Sequence, residues 1–381
     1  MNDRYIQYGA SDEDAAHYHD LVKRFGSPLL VVYRDRLLAQ YELLCKQLPG
    51  VTHYYAIKAF PYEEVLRILA NAGASFDVAS AGEIDMLRRL YISGRRTIHT
   101  HPIKKNAEIR AALRGGSTTF VVDNIEELRK LLPYRHRVGV LLRVSFRSSS
   151  AKVDLSRKFG CAPDQVTDIV REAASMGANV RGLSFHVGSQ SLTPDAHVDA
   201  INRCASLIGD IEQATGRPMN VLDIGGGFPV DYAHTGIDYD AWFKPIREAL
   251  AGALPDYIDV IAEPGRFLVA PAATSIASVA GKARRGDFQW YYLDDGVYGC
   301  YSGQLFDHAT YPLQILNDSP EREPSILAGP TCDSIDVIAE NVELPQLKEG
   351  DLVIGHMMGA YTYATAATRF NSLSGAQIVV I

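Results

Sequence analysis

The chain has 381 residues, with 38 Lys+Arg against 45 Asp+Glu, a formal net charge of −7. Hydrophobic residues at 47% and charged residues at 22% describe a folding chain rather than a disordered one, long enough for two domains or for one large barrel with an appendage. Mild acidity excludes nucleic acid as the expected partner, because phosphates attract a basic footprint. No apolar run reaches the ~20 residues that cross a bilayer, so no membrane contact and a cytoplasmic location are expected.

The first two thirds of the sequence alternate short apolar runs with amphipathic stretches. The runs are His53–Lys58, Ser75–Ala79, Thr97–His101, Thr119–Asp123, Val138–Val144, Gly182–Val187, Asn220–Gly225 and Asp259–Glu263. Between them lie segments such as Glu63–Ala72, Gly82–Leu90, Asn124–Leu132, Gln165–Met176 and Asp195–Ala214, whose apolar residues recur every three or four positions. Strand followed by helix, repeated in this way, predicts a parallel sheet closed as a (β/α)₈ barrel. After about Val269 the links carry turn signals instead of helices. Thr274–Lys282, Phe288–Asp294, Ser325–Ala328 and Asp351–His356 then predict an antiparallel β domain, which the strand Leu29–Tyr33 can join. The expected division is a barrel over 35–270, with 1–34 and 271–381 forming the β domain. The five cysteines, Cys45, Cys161, Cys204, Cys300 and Cys332, show no C-x-x-C spacing. Reduced thiols are expected, with neither a disulfide framework nor a metal site.

Barrels of this kind place their chemistry at the carboxyl ends of the strands. Those ends carry Lys58, Asp77, His101, Asp123, Arg143, His186, the run Gly225-Gly226-Gly227, and Glu263 followed by Pro264-Gly265-Arg266. Lys58 is either a lysine extended along the rim or a partly desolvated amine able to attack an aldehyde. The glycines either make a tight turn or present N–H groups to a phosphate, with Arg266 adding a charge-assisted bond. Glu263 either pairs with Arg266 or holds a ring nitrogen protonated. His186 is either a core histidine or a flat surface for an aromatic ring, and Ser189 offers a hydroxyl nearby. Read together, these groups have what pyridoxal phosphate requires.

The order of motifs resembles that of the fold-type III pyridoxal-phosphate decarboxylases, and within them the bacterial ornithine/lysine decarboxylase-like group. The resemblance rests on Tyr54-Tyr55-Ala56-Ile57-Lys58-Ala59, Phe76-Asp77-Val78-Ala79-Ser80, Ser156-Arg157-Lys158-Phe159-Gly160-Cys161, Phe185-His186-Val187-Gly188-Ser189 and Gly225-Gly226-Gly227-Phe228-Pro229. It continues through Glu263-Pro264-Gly265-Arg266, Asp295-Gly296-Val297-Tyr298-Gly299, Gly329-Pro330-Thr331-Cys332-Asp333-Ser334 and Gly359-Ala360-Tyr361-Thr362. It implies that Lys58 bonds the cofactor aldehyde, Glu263 pairs with its ring nitrogen and His186 stacks on its ring. Ser189, Gly226, Gly227, Gly265, Arg266 and Tyr361 would hold the phosphate, with Asp77 and Arg143 completing the cofactor set. Cys332 resembles a proton donor that reaches in from the second subunit of a homodimer with shared sites. Asp307 and Asp333 match the acids that hold the distal ammonium of a basic amino acid, and Phe306, before Asp307, completes the substrate-binding set.

The implied reaction is α-decarboxylation of L-ornithine to putrescine or of L-lysine to cadaverine. A diaminopimelate decarboxylase-like enzyme and an inactive regulator of the same fold are the alternatives. Asp333 after the cysteine and Phe228-Pro229 after the glycines side with the diamine-forming group. Joint retention of Lys58, Glu263, Cys332 and Asp333 argues against the regulator. The chain departs from the family pattern at Phe306, at Ser372-Leu373 after Phe370-Asn371, at Arg147–Ser150, and at His99, His101 and Pro102.

Overall fold

The computed structural model describes residues 5–146 and 158–381. Arg147–Ser150, and the Ser156-Arg157 part of the motif ending at Cys161, lie outside the described residues. The chain divides into two units: Met1–Gln40 with Val230–Gly236 and Leu268–Ile381, and Tyr41–Pro229 with Ile237–Phe267. In chain order, β1 (Ile6–Tyr8) and β2 (Leu29–Val32) fall in the first unit. The second holds β3 (Thr52–Ala56), β4 (Ser75–Val78), β5 (Thr97–His99), β6 (Thr119–Val122), β7 (Gly139–Val144), β8 (Val180–Phe185), β9 (Val221–Asp223) and β10 (Asp259–Ala262). Each of these pairs in parallel with the next, and β10 closes on β3 with Ile261 opposite Thr52, so the expected barrel is present.

Consecutive residues such as Val121-Val122 and Leu141-Leu142 are buried together, because a parallel strand covered by helices has no wet face. Ile98, Val121, Leu141, Val221 and Ile261 meet in one cluster, with Tyr54 packed against it. Two of the strand-to-helix turns are held by caps. Ser80 Oγ accepts from Glu83 N at 3.3 Å, and Asn124 Oδ1 accepts from Glu127 N at 2.9 Å. Each cap lies two residues past its strand, which leaves β4 and β6 with short turns at their carboxyl ends.

Most barrel strands end before the apolar runs do, β3 and β5 by two residues each. β3 stops at Ala56, whose N–H leaves the ladder to reach Pro264 O at 2.9 Å, and Ile57–Ala59 is a single 3₁₀ turn. Lys58 therefore stands on a turn rather than on a strand. β5 likewise ends at His99.

The first unit adds β11 (Ala273–Arg285), β12 (Phe288–Leu293), β13 (Leu313–Ile315), β14 (Arg322–Ala328), β15 (Val337–Pro345), β16 (Leu352–Gly355) and β17 (Gln377–Val380). β11 organises this sheet. Its first half runs antiparallel to β2 and β16, and beyond a bulge between Val279 and Gly281 it runs antiparallel to β12. The sheet is nevertheless mixed, because β1 with β13, β12 with β14, and β2 with β17 are parallel. Long connections separate the members of each such pair, as parallel neighbours require. The helix Asp12–Phe25 is capped by Ser11 and sets Tyr18 and Leu21 against Leu29, Val31, Ile276, Leu352 and Ile354. No helix among the described residues is long and apolar enough to cross a membrane.

Candidate active site

In the barrel unit, Lys58 Nζ donates to Asp77 Oδ2 at 3.3 Å. The Asp77 side chain is 1% exposed and that of Lys58 44%, so a dry carboxylate holds an amine that reagents can still reach. Thr100 donates its hydroxyl to Asp77 Oδ1 and fixes the other side of the carboxylate.

The tips of β9 and β10 bring Asp223 beside Glu263, both buried. Gly225 laces them together: its N–H donates to Asp223 Oδ1 at 2.9 Å, and its carbonyl accepts from Glu263 N at 2.7 Å. Burial pushes the Asp223 carboxyl up to about 6. Burial, then the like charges of Asp223 and Asp77, push Glu263 well above the usual carboxylate range, with Lys58 offsetting part of the rise. Acids crowded in this way are set to receive a cation.

The glycine run is dictated by close approach. Gly225 and Gly227 have φ of +64° and +92°. A Cβ would come within 2.3 Å of Phe185 O at Gly225, 2.5 Å of Glu263 O at Gly226 and 2.2 Å of Gly188 O at Gly227. Arg266, buried next to the buried Gly265, donates Nε and Nη2 to Ser189 Oγ at 3.3 and 3.2 Å. His186 Nδ1 accepts from Gly188 N at 3.0 Å, which leaves its proton on Nε2. Burial, then Arg143 and Lys58, drive its imidazolium form far down. The ring is therefore neutral, and its Nε2 lies 3.5 Å from the place a Gly226 Cβ would occupy. Arg143 lies over the Phe159 ring at 5.6 Å, and His101 meets the edge of that ring with centroids 5.4 Å apart.

In the sheet unit, Cys332 N donates to Asn371 Oδ1 at 3.1 Å, and Asn371 Nδ2 donates to Cys332 Sγ at 3.3 Å. Tyr298 donates its hydroxyl to Asp333 Oδ2, and Ile335 N donates to Asp333 Oδ1 at 3.2 Å. The Tyr298 bond, then the backbone bond, hold the Asp333 carboxyl below its ordinary range, while the Tyr298 phenol is raised to about 12 by the same contact. Phe306, 66% exposed, ends the short helix Gly303–Phe306, and Asp307 N donates back to Gly303 O at 3.0 Å. The backbone of Tyr361 lies against that helix: a Cβ on Gly303 would stand 2.9 Å from Tyr361 O. All five cysteines are free thiols. Cys161, Cys204 and Cys300 are buried, and Cys45 and Cys332 are exposed.

Sequence reasoning passed over several residues of these clusters. Asp223 has a signal, an acid ending an apolar strand two residues before the glycines. His197 has none. It is fully buried on the helix Asp195–Thr215, donates Nε2 to Gly226 O at 3.0 Å and stacks on Phe228 with centroids 5.4 Å apart.

The family described as pyridoxal-dependent decarboxylase, pyridoxal binding domain, matches residues 34–270. The lysine/ornithine decarboxylase of Selenomonas ruminantium is 37% identical over 361 residues, 94% of this chain and 91% of that one. Among solved structures, the lysine/ornithine decarboxylase of Vibrio vulnificus complexed with putrescine is 46% identical with a TM-score of 0.92. The same enzyme complexed with cadaverine gives 47% and 0.93, each covering 97% of this chain and 99% of the other.

The barrel tips fit pyridoxal phosphate by their own chemistry. An aldehyde finds the reachable amine of Lys58, and a pyridine nitrogen finds a pair of buried acids in want of a cation. A phosphate finds Arg266, Ser189 and a backbone run in which a side chain would collide with its neighbours. The match across the whole barrel, the similarity over 94% of the chain and this set of groups agree: the chain belongs to the pyridoxal-dependent decarboxylase family.

Proposed function

We propose that this protein removes the α-carboxylate of L-ornithine or L-lysine as CO₂ and releases putrescine or cadaverine, with residues 35–270 as the cofactor-binding domain. The observation that carries the reading is the buried Asp223–Glu263 pair beside the Lys58–Asp77 ion pair. It can keep a ring nitrogen protonated, which a decarboxylase needs. The names and bound diamines of the similar Vibrio and Selenomonas enzymes support the choice of basic substrates.

When bound, the cofactor supplies an electron sink for the pair of electrons left as the bond from Cα to the carboxylate breaks. Lys58 anchors its aldehyde, and Asp77 orients that amine. Glu263, stiffened by Asp223 and Gly225, holds the proton on the ring nitrogen. His186 presents the flat face of a neutral imidazole. Arg266, Ser189, Gly226, Gly227, Gly265 and Tyr361 bind the phosphate. Arg143 supplies further positive charge. Asp333 and Asp307, with Phe306 preceding Asp307, receive the distal ammonium, and Cys332 delivers a proton to Cα. The protein acts as a homodimer in which Cys332 and Asp333 serve the site of the second copy.

An amine-release screen over basic amino acids of both hands tests this reading. Diamine and CO₂ are expected from L-ornithine and L-lysine, and a visible absorbance that borohydride bleaches. Lys58→Ala should lose the absorbance and all multiple turnover. Wild-type turnover in that variant, or lysine release from diaminopimelate as the fastest reaction, overturns the assignment.

A further inference from the structure

Cys332 and Asp333 stand on an exposed loop that is gripped from several sides. Beneath it, Asp336 is 2% exposed and accepts from Val297 N, Thr331 N and Thr331 Oγ1 at 2.8, 2.9 and 2.6 Å. On the Asp333 side, Tyr298 stacks on Phe370 with centroids 4.6 Å apart at 18°. The remaining grip comes from the residue after Phe370. Asn371 meets Cys332 at both its backbone and its sulfur.

The orientation of that amide is settled by chemistry. A backbone N–H can only donate, so the Asn371 atom 3.1 Å from Cys332 N is the oxygen, and the NH₂ group must face Sγ at 3.3 Å. The sulfur thus accepts a bond from Asn371, which leaves its own S–H hydrogen to point elsewhere. Seating the amide takes unusual backbone, with φ of +53° at Asn371 and +55° at Ser372. Asn is one of the few residues with a side chain that takes this conformation readily.

We propose that Asn371 is a positioning residue for Cys332: it fixes where the sulfur points and supplies an N–H that stabilises the sulfur as it gives up its proton. The inference rests on the reading of Cys332 as the group that protonates Cα. A thiol that gives its proton to carbon is left as a thiolate, and a dipole already aimed at the sulfur receives that charge without rearrangement. Asn371 acts through Cys332, touching its sulfur but giving no proton to Cα itself.

Two variants of the holoenzyme test it. Asn371→Asp keeps the size and the acceptor for Cys332 N but sets a negative oxygen against the sulfur. Asn371→Gly removes the side chain and takes the positive φ without strain. Asn371→Asp should lower kcat about tenfold, leave KM for ornithine and lysine within about twofold, and slow iodoacetamide alkylation of Cys332 at pH 8 about tenfold, read by peptide mass. Asn371→Gly should fall between, at about threefold in both. Wild-type kcat and alkylation in both variants, while Cys332→Ala loses kcat, overturns the inference and leaves Cys332 as the donor. A fall in Tm with a raised KM and unchanged alkylation marks a merely structural residue and overturns it too. Wild-type kcat in Cys332→Ala overturns the reading of Cys332, and the inference with it.

Discussion

A histidine buried with one hydrogen bond carries a pH signature. His197 gives Nε2–H to Gly226 O, and its Nδ1 has no partner among the described residues. Burial lowers its imidazolium form to about 4 from an ordinary 6.5. The folded state therefore refuses a proton that the unfolded chain accepts between those values. The stability that His197 contributes is complete above pH 6.5 and is lost as pH falls toward 4, at about 1.4 kcal/mol per pH unit. His197→Phe should keep the stack on Phe228 but strand the Gly226 carbonyl, a deficit of about 1–3 kcal/mol at pH 7.5. Denaturant midpoints should show that deficit shrinking below pH 6.5. A deficit that stays constant down to pH 5 would mean that the buried ring is not what titrates. The placement of Lys58 and Glu263 just past their strands was legible, because it follows from the local apolar runs that precede them. Asp223 carries a local signal that was passed over. His197 was not legible, because it matters through Gly226, a residue on another element that only the closed barrel brings near.

At the level of elements, the turn leaving β9 tightly constrains the proposed cofactor cradle. Gly227 N–Cα geometry lies at φ +92°, its absent Cβ would meet Gly188 O, and its carbonyl accepts from Ser191 N at 2.9 Å. Gly227→Ala must therefore displace the segment that bears Ser189. The strain expected is about 1–3 kcal/mol. Titration of the cofactor-free protein with pyridoxal phosphate should show weakened binding, and Tm should fall. Undiminished affinity with a lowered Tm would remove this turn from the phosphate site. The barrel strands were legible because apolar runs bounded by amphipathic helices leave few other solutions. Their exact ends were not. The turn that carries Lys58 begins where Ala56 leaves its ladder for Pro264, a contact between residues far apart in sequence. In the sheet, β1, β13, β15 and β17 were missed. Each is either very short or interrupted by polar residues, as in Val337–Pro345 with Glu340 and Asn341.

The whole molecule is proposed to work as a pair of copies, each lending Cys332 and Asp333 to the other's barrel. Two dead variants should then rescue one another. In a mixed dimer of Lys58→Ala and Cys332→Ala, one site inherits both lesions and the other neither. Random exchange makes roughly half the dimers mixed and roughly a quarter of all sites intact. Activity of the mixture, measured after exchange has been verified by pull-down of a tagged copy, should approach that fraction. Activity that stays at the level of the parent variants after complete exchange places Cys332 in its own chain's site. At this scale a barrel followed by a β domain was legible, but the pairing of distant strands in parallel was not. Local patterns mark a strand without naming its neighbour.

The sheet is laced from both directions, with β2 held between β11 and β17. During synthesis, β2 leaves the ribosome early and waits while the entire barrel is made before β11 can pair with it, and longer still for β17. Its four residues, Leu29–Val32, are all buried in the finished fold, so for that interval an apolar edge has no partner. The barrel strands each find a neighbour one helix later, although β3 keeps its other edge open until β10 is made. Nascent chains halted before residue 273 should therefore carry a folded barrel and a sticky, unpaired β2. The hazard on the way to the native state then lies in the sheet unit rather than in the larger domain that holds the cofactor.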